Sequence, residues 1–315
     1  MTFKNTDFEE MLRNSLRIPQ NKDIKGRKGK KSLLKKVLLD TSFESIVFTE
    51  GPAWSSGRRL MLKFLKNFGY GTNAMETIIA AECKALVELR LTDAGQRILV
   101  NDMFDITILN ILWRLMAGKR YDLNDDRLKN ICDWIRRSFN VVDMSGGVIN
   151  FLPFLRHIFP GLTGYKELVE IYGSLLTFIR EVTRDHQKNF DMNNPRDVID
   201  MFLIERSRNK NSIVGTDEDL DVVCLDMLQA GMETVGNTVA FMFLYMVRQE
   251  SIQNKVIAEI DDVIGKRTPT LEDRRRMTYT EAVVMETLRM SAVAPIGIPH
   301  RALDDAKLGN YIIPK

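Results

Sequence analysis

An acid stands next to a hydroxyl in the middle of a long helical pattern. Ala230, Gly231, Glu233 and Thr234 lie in the run AGMETVG, which ends at Gly236. A glycine inside a helix costs about 1 kcal/mol relative to alanine, so the two glycines indicate a need for space. That space could admit a flat ligand, with Glu233 and Thr234 relaying a proton towards it. It could also accommodate a second helix at a close crossing, with Glu233 in solvent.

Two further pairs of side chains have the spacing that puts them on one face of a helix. Trp54 and Arg58 are four residues apart and would present an indole N–H and a guanidinium side by side. Both groups only donate hydrogen bonds, which suits a carboxylate ligand. Glu286 and Arg289, three residues apart, can form an ion pair. Each pair has an ordinary alternative: Trp54 in the core with Arg58 in water, and an exposed ion pair of little energetic value.

The elements that must position these residues are predicted to be helices. Apolar residues recur at helical spacing over residues 43–291, and turn signals divide this stretch into roughly ten helices. The longest pattern covers residues 216–249, and another helix is predicted over residues 279–290. After Pro295 short alternating segments predict a small antiparallel ribbon. The fold class is therefore mainly α, a single helical domain with a small β-ribbon.

The composition excludes several classes of protein. The 315 residues are 44% hydrophobic and 28% charged with a net charge of +3, which excludes a disordered chain and an overall polycation. Cys83, Cys132 and Cys224 lie far apart without a CxxC pair, which argues against a disulfide framework and a zinc site. No apolar run reaches the roughly 18–20 residues that span a bilayer, so we expect no anchor helix in this chain.

One segment, residues 22–36, is rich in lysine and arginine. We interpret it as a solvated loop. Contact with anionic lipid headgroups or with nucleic acid is the functional alternative, but the segment lacks the interleaved aromatic residues that nucleic-acid platforms supply.

Taken in order along the chain, these motifs resemble the cytochrome P450 haem-thiolate monooxygenases of the microsomal animal type. The motifs that carry the resemblance are Trp54-x-x-x-Arg58, Ala230-Gly231-x-Glu233-Thr234, Glu286-x-x-Arg289 and Pro299-His300-Arg301. The resemblance covers a partial domain at residues 44–315, whereas residues 1–43 form a divergent basic N-terminal segment.

The resemblance implies a haem cofactor and assigns roles on its oxygen-binding side. Glu233 and Thr234 would be catalytic, guiding protons to the place where dioxygen binds. Ala230 and Gly231 would contact the cofactor. Ala230 and the segment 151–172 would also shape the substrate cavity.

The resemblance also implies roles at the edge and on the opposite side of the haem. Trp54, Arg58 and His300 would hold the two haem propionates, which need cationic or N–H donors. Glu286 and Arg289 would form a structural ion pair, buried in a network that stabilises the opposite side.

This sequence departs from the family pattern at the metal ligand. The family's ligand is a cysteine in a Phe-x-x-Gly-x-Arg-x-Cys-x-Gly loop, which does not occur here. None of Cys83, Cys132 and Cys224 has the matching context, so we assign no metal ligand in this chain. We therefore expect a piece truncated at the C-terminus, without the N-terminal anchor, and inactive as it stands.

For the intact relative, the resemblance implies insertion of one oxygen atom of O2 into a lipophilic substrate, with electrons from NADPH delivered by NADPH-cytochrome reductase. The expected location is the cytoplasmic face of the endoplasmic reticulum membrane, with the membrane surface but no nucleic acid as a partner.

Two alternatives to this function stay open. One is a catalytically inactive relative that acts as an interaction protein. The other is a helical adaptor that binds acidic partners through its lysine cluster.

Overall fold

The computed structural model describes residues 46–47, 51–100, 102–141, 152, 154–209, 215–295, 302 and 304–314. The basic segment 22–36 and His300 lie outside these residues. The described residues form ten α-helices, one 3-10 helix and two strands. The helices in the first half are α1 (Gly51–Asn67), α2 (Asn73–Leu91), α3 (Asp105–Ala117), α4 (Asp126–Val141) and the short α5 (Leu155–Ile158).

The second half contains the longer helices and the ribbon. Its elements are α6 (Tyr165–Asn189), α7 (Val198–Arg208), α8 (Asp217–Arg248), α9 (Glu250–Val263), the 3-10 helix (Leu271–Arg275), α10 (Thr278–Ser291), β1 (Ala306–Leu308) and β2 (Tyr311–Ile313). The predicted mainly α fold with a small antiparallel ribbon is confirmed. None of the described helices combines the length and the apolar composition needed to cross a membrane.

Helix α8 begins where the sequence predicts it. The Thr216 hydroxyl accepts a hydrogen bond from the Asp219 backbone N–H at 3.2 Å, and the Asp219 carboxylate accepts one from the Thr216 N–H at 2.8 Å. This reciprocal cap satisfies two backbone donors that the first turn would otherwise leave unpaired. The three acids of the first turn add a favourable interaction with the helix dipole.

The ribbon pairs Ala306 with Ile313 and Leu308 with Tyr311 in antiparallel register. Gly309 occupies the turn with a φ of 60°, a left-handed conformation that costs glycine nothing. The predicted ribbon is thus present over residues 306–313, whereas residues 296–301 lie outside the described part of the chain.

The core lies around α6 and the first half of α8. Helix α6 buries an apolar face at spacings of three and four residues, including Leu168, Leu175 and Ile179. It packs against α4 and against α8, where Val223 and Cys224 are fully buried. Each fully buried aliphatic side chain contributes about 2 kcal/mol to folding.

The second half of α8 differs from the first, because most of its large apolar side chains are exposed. Val235, Phe243, Leu244 and Val247 are among them. The motif residues Ala230, Gly231, Glu233 and Thr234 lie between the two halves, where α8 leaves the core.

Candidate functional site

The middle of α8 places Ala230 and Thr234 together on one exposed face. The Thr234 hydroxyl donates a hydrogen bond to the Ala230 carbonyl, one turn earlier, at 2.8 Å. A threonine hydroxyl inside a helix commonly donates its hydrogen to the carbonyl four residues earlier. Its oxygen keeps lone pairs that can accept a hydrogen bond from a water or a ligand on the exposed side.

Glu233 lies beside Thr234 and is half-buried. Its Oε1 atom accepts a hydrogen bond from the Asn237 amide at 3.0 Å, so the carboxylate is held along the helix axis. Asn237 was not among the residues predicted from the sequence. The signal was available, since an acid and an amide four residues apart are neighbours on a helix.

The charge of Glu233 also acts on a cluster of charged residues at α3 and α4, of which only the Asp105 carboxylate is buried. Arg136 of α4 pairs with Asp105 of α3 and, at 2.9 Å, with Asp102. Burial raises the pKa of Asp105, Arg136 opposes this shift, and the negative charges of Asp102 and Glu233 reinforce it. Because these groups come from separate parts of the sequence, helical spacing could not have revealed the cluster.

The two glycines of the motif face α3. A Cβ atom on Gly231 would lie 2.6 Å from Leu112 Cδ1, and one on Gly236 would lie 2.9 Å from Asp105 Oδ1. The close helix crossing therefore accounts for both glycines. Gly231 lies on the side of α8 that packs against α3, whereas Ala230 and Thr234 lie on the exposed side. Of the two alternatives that the sequence left open for the space at Gly231, a flat ligand or a helix crossing, the structure shows the crossing, because Leu112 occupies this space; the cofactor contact expected of Gly231 stays a prediction.

On α1, Trp54 and Arg58 lie side by side as predicted. The Arg58 guanidinium carbon is 5.8 Å from the centroid of the Trp54 ring, a cation–π distance. Trp54 is 43% exposed, so the alternative that places it in the core is wrong. Among the described residues, neither side chain has a hydrogen-bond acceptor, so both remain available to a carboxylate ligand. His300, the third predicted propionate contact, lies outside the described residues.

Glu286 and Arg289 form the predicted ion pair on α10. Arg289 Nε and one of its terminal nitrogens donate to the two Glu286 oxygens at 2.7 and 2.6 Å, which lowers the pKa of Glu286. The expected burial of this pair is wrong for the described structure, since the side chains are 59% and 65% exposed. No described element covers this face of α10, and solvent screens the pair.

The three cysteines are poorly suited to ligate a metal where they lie. Burial raises the pKa of the Cys132 thiol to about 12, with the Asp105 charge adding to the effect. Burial also raises the pKa of Cys224, which is fully enclosed in α8, and that of Cys83. A metal ligand must be a thiolate, and these shifts favour the neutral thiol.

A hydrogen bond connects α8 to Tyr172, at the end of the predicted substrate segment 151–172. The Gln229 amide, next to Ala230, donates to the hydroxyl of buried Tyr172 at 2.9 Å and to the Ser138 hydroxyl at 3.1 Å. Phe151 lies outside the described residues. No hydrogen bond or ion pair between described residues joins the Trp54 and Arg58 pair to Thr234.

The sequence matches the family model described as Cytochrome P450 over residues 16–315. The chain belongs to the cytochrome P450 family. Farnesoate epoxidase of Bombyx mori is 59% identical over 271 residues, which cover 86% of this chain and 55% of that protein. Cytochrome P450 2F2 of Mus musculus is 32% identical over 280 residues, which cover 87% of this chain and 56% of that protein. Cytochrome P450 2C28 of Mesocricetus auratus is 33% identical over 277 residues, which cover 86% of this chain and 56% of that protein.

The chain thus spans little more than half the length of these relatives. The family match begins at residue 16, and the division of the chain at residue 43 stays a prediction, as does the expectation of a truncated, inactive piece.

Members of the cytochrome P450 family hold a haem and use electrons that NADPH supplies through a reductase. The donor set on α1 fits this cofactor, because an indole N–H and a guanidinium, neither of which has a hydrogen-bond acceptor in the described part of the chain, match the carboxylates of its propionates. The exposed face of α8 presents Ala230 without a bulky side chain and a hydroxyl that can still accept a hydrogen bond. Both features fit the family's cofactor.

Proposed function

We propose that the full-length protein is a haem monooxygenase that epoxidises a lipophilic, unsaturated isoprenoid acid of the farnesoate class. The observation that carries this proposal is the 59% identity to a farnesoate epoxidase over 86% of this chain. Farnesoate combines a long apolar chain, carbon–carbon double bonds and one carboxylate. Substrates of this kind suit cavities lined mainly by apolar side chains with a few polar groups.

In this proposal the bound haem supplies oxygen activation, and this chain supplies the proton path and the anchor. The Thr234 hydroxyl donates to the Ala230 carbonyl and can accept from a water, so it orders that water at the exposed face of α8. Glu233, held by Asn237, is the group that exchanges protons with this water. Trp54 and Arg58, with His300, bind the propionates.

The proposed partners follow from the same family. Electrons come from NADPH through a cytochrome reductase, and O2 is the second substrate. The full-length protein acts at the cytoplasmic face of the endoplasmic reticulum membrane, where a lipophilic acid partitions between membrane and enzyme.

The test uses the full-length protein with its reductase, NADPH and O2. Farnesoate is expected to yield a product heavier by one oxygen atom that carries an epoxide, identified by mass spectrometry and NMR. Its fully saturated analogue, which has the same length and carboxylate but no double bond, is the control and should yield no epoxide.

Two results would contradict the proposal in different ways. Oxidation of other lipophilic compounds without turnover of farnesoate would overturn the substrate class. A full-length protein that retains no haem and oxidises nothing would support the inactive relative instead.

A further inference from the structure

A buried histidine that takes no part in the proposed reaction lies near the end of α6. His186 is 3% exposed. Its Nδ1 atom lies 2.8 Å from the Val182 carbonyl oxygen, and its Nε2 atom lies 2.8 Å from Asp197 Oδ2. Asp197 is the N-cap of α7, so the ring bridges the end of one helix and the start of the next.

Both ring nitrogens face hydrogen-bond acceptors. A carbonyl oxygen has no hydrogen to give, so Nδ1 must carry one. The other oxygen of Asp197, Oδ1, accepts a hydrogen bond from the Asp200 backbone N–H at 3.0 Å, and this bond caps α7. The hydrogen between the two groups is placed on Nε2, because a carboxylate oxygen accepts hydrogen bonds and an imidazolium nitrogen donates one.

The end of a third helix packs on the same carboxylate. Helix α3 ends at Gly118 with a φ of 63°, and a Cβ atom there would lie 3.1 Å from Asp197 Oδ2. The His186 and Asp197 pair therefore lies where α3, α6 and α7 meet.

The neighbouring charges are arranged in pairs. Lys119, just after α3, binds Asp185 of α6 at 2.7 Å, and Arg196 binds Asp200 of α7 at 2.7 Å. The charged or titratable groups that act on His186 or Asp197 are Asp185 of α6, Arg196 and Asp200 at α7 and the thiol of Cys224 on α8, and Lys119 after α3 and Lys188 of α6 act on Asp185 in turn.

These surroundings favour the charged ring. Burial alone lowers the pKa of His186, but the hydrogen bond and charge of Asp197, together with the Val182 carbonyl, outweigh burial and raise it above its ordinary value.

The cluster of His186, Asp197 and Asp200 also has spacing compatible with a metal ion. Its ligand atoms are already engaged, however. Both His186 nitrogens are hydrogen-bonded, and the two Asp200 oxygens receive Arg196 Nε and a terminal Arg196 nitrogen. The arrangement is that of an ion pair.

We propose that His186 is a buried imidazolium that locks the end of α6 to the start of α7, and that the lock opens when rising pH removes its proton. The proposal rests on contacts within this chain and is independent of the oxidation chemistry. Because the folded state binds this proton more tightly than the unfolded state, the stabilisation is complete below the pKa of an unfolded histidine. It is lost as the pH rises through the folded pKa.

The test follows the ring directly in the full chain labelled with ¹³C and ¹⁵N at histidine. The resonances are assigned by elimination, using His157→Gln and His300→Gln, so no variant of His186 is needed. We expect His186 to carry hydrogen on both nitrogens at neutral pH. Its titration midpoint should lie above that of the same chain unfolded in urea. A neutral His186 ring at neutral pH, or a midpoint at or below the unfolded one, would overturn the proposal.

A second measurement addresses the lock. His186→Gln should speed hydrogen exchange of the backbone amides in the first turns of α7 at pH 6.5, whereas the matched His157→Gln variant of an exposed histidine should not. Unchanged protection of α7 in well-folded His186→Gln would show that the ring does not hold the two helices together.

Discussion

At the scale of single residues, the surroundings of the Thr234 hydroxyl determine what it can do chemically. Its hydrogen is committed to the Ala230 carbonyl, and its oxygen faces the exposed side of α8. Thr238, one turn later, makes the same bond to the Thr234 carbonyl at 2.8 Å. Because both hydroxyls make the same bond within the helix, Thr238 serves as a matched control that separates a structural role of Thr234 from a role in proton delivery.

In the full-length enzyme with its reductase, Thr234→Ala should keep consuming NADPH at a comparable rate while forming less product and more hydrogen peroxide. The reason is that removing the hydroxyl removes the acceptor that orders the proton-donating water. The measurement is peroxide released per NADPH oxidised. Thr234→Ser should restore coupling, and Thr238→Ala should leave it near the wild-type value. An unchanged ratio in haem-loaded Thr234→Ala would exclude Thr234 from proton delivery.

At the scale of elements, the crossing of α8 with α3 sets which face of α8 is free. Leu112 fills the position next to Gly231, and Asp105 fills the one next to Gly236. This packing turns Ala230 and Thr234 away from α3. The glycines therefore position the site by letting two helices approach closely.

Gly231→Ala should destabilise the full chain by about 1 kcal/mol in urea unfolding. The gain in helix propensity is smaller than the cost of forcing a methyl group against Leu112, about 1–3 kcal/mol. Gly173→Ala on α6 is the matched control, since its Cβ atom would meet nothing within 4 Å. It should stabilise the chain by about 0.5–1 kcal/mol.

The variant Leu112→Ala gives room to the new methyl group. In that background Gly231→Ala should no longer destabilise the chain. Equal stabilisation by Gly231→Ala and Gly173→Ala in the wild-type background would contradict a tight crossing.

At the scale of the whole molecule, ion pairs with a buried carboxylate make stability depend on pH. The Asp200 side chain is fully buried and receives two hydrogen bonds from the Arg196 guanidinium and one from the Arg196 backbone N–H. Burial raises the pKa of Asp200, but these bonds outweigh it and lower the pKa below the ordinary value. A lowered carboxyl pKa adds stability above the unfolded pKa, and this stability is lost as the pH falls through the folded pKa.

Asp200→Asn should therefore reduce the stability of the full chain at neutral pH, by about 2 kcal/mol for lost charge-assisted hydrogen bonds. Its stability should then fall less steeply than that of the wild type on acidification below about pH 4. Urea unfolding at a series of pH values measures both effects. Asp126→Asn, which removes an exposed partner of Lys129, is the control and should change little. If the free energy of unfolding fell equally steeply with acidification in the wild type and in Asp200→Asn, this account would be contradicted.

Some features could be predicted from the sequence because they depend on local spacing alone. Thr216 and Asp219 define the start of α8 through bonds within one turn. Trp54 lies beside Arg58, and Glu286 beside Arg289, because residues three or four apart are neighbours on any helix. The motifs that resemble the cytochrome P450 family are also short runs of sequence, so they could be recognised without the structure. The match to the family model confirms that resemblance.

Other features were decided only by the tertiary structure, since their partners are distant in the sequence. The sequence around Gly231 was compatible with either a ligand or a second helix against this glycine. The packing of α3 places Leu112 against Gly231. Nothing in the spacing of His186 and Asp197 indicated that the ring would be enclosed between three helix ends. The sequence by itself determined which side chains share a helix face. Only helix packing decided which faces are covered, because burial depends on the surfaces that distant segments bring together.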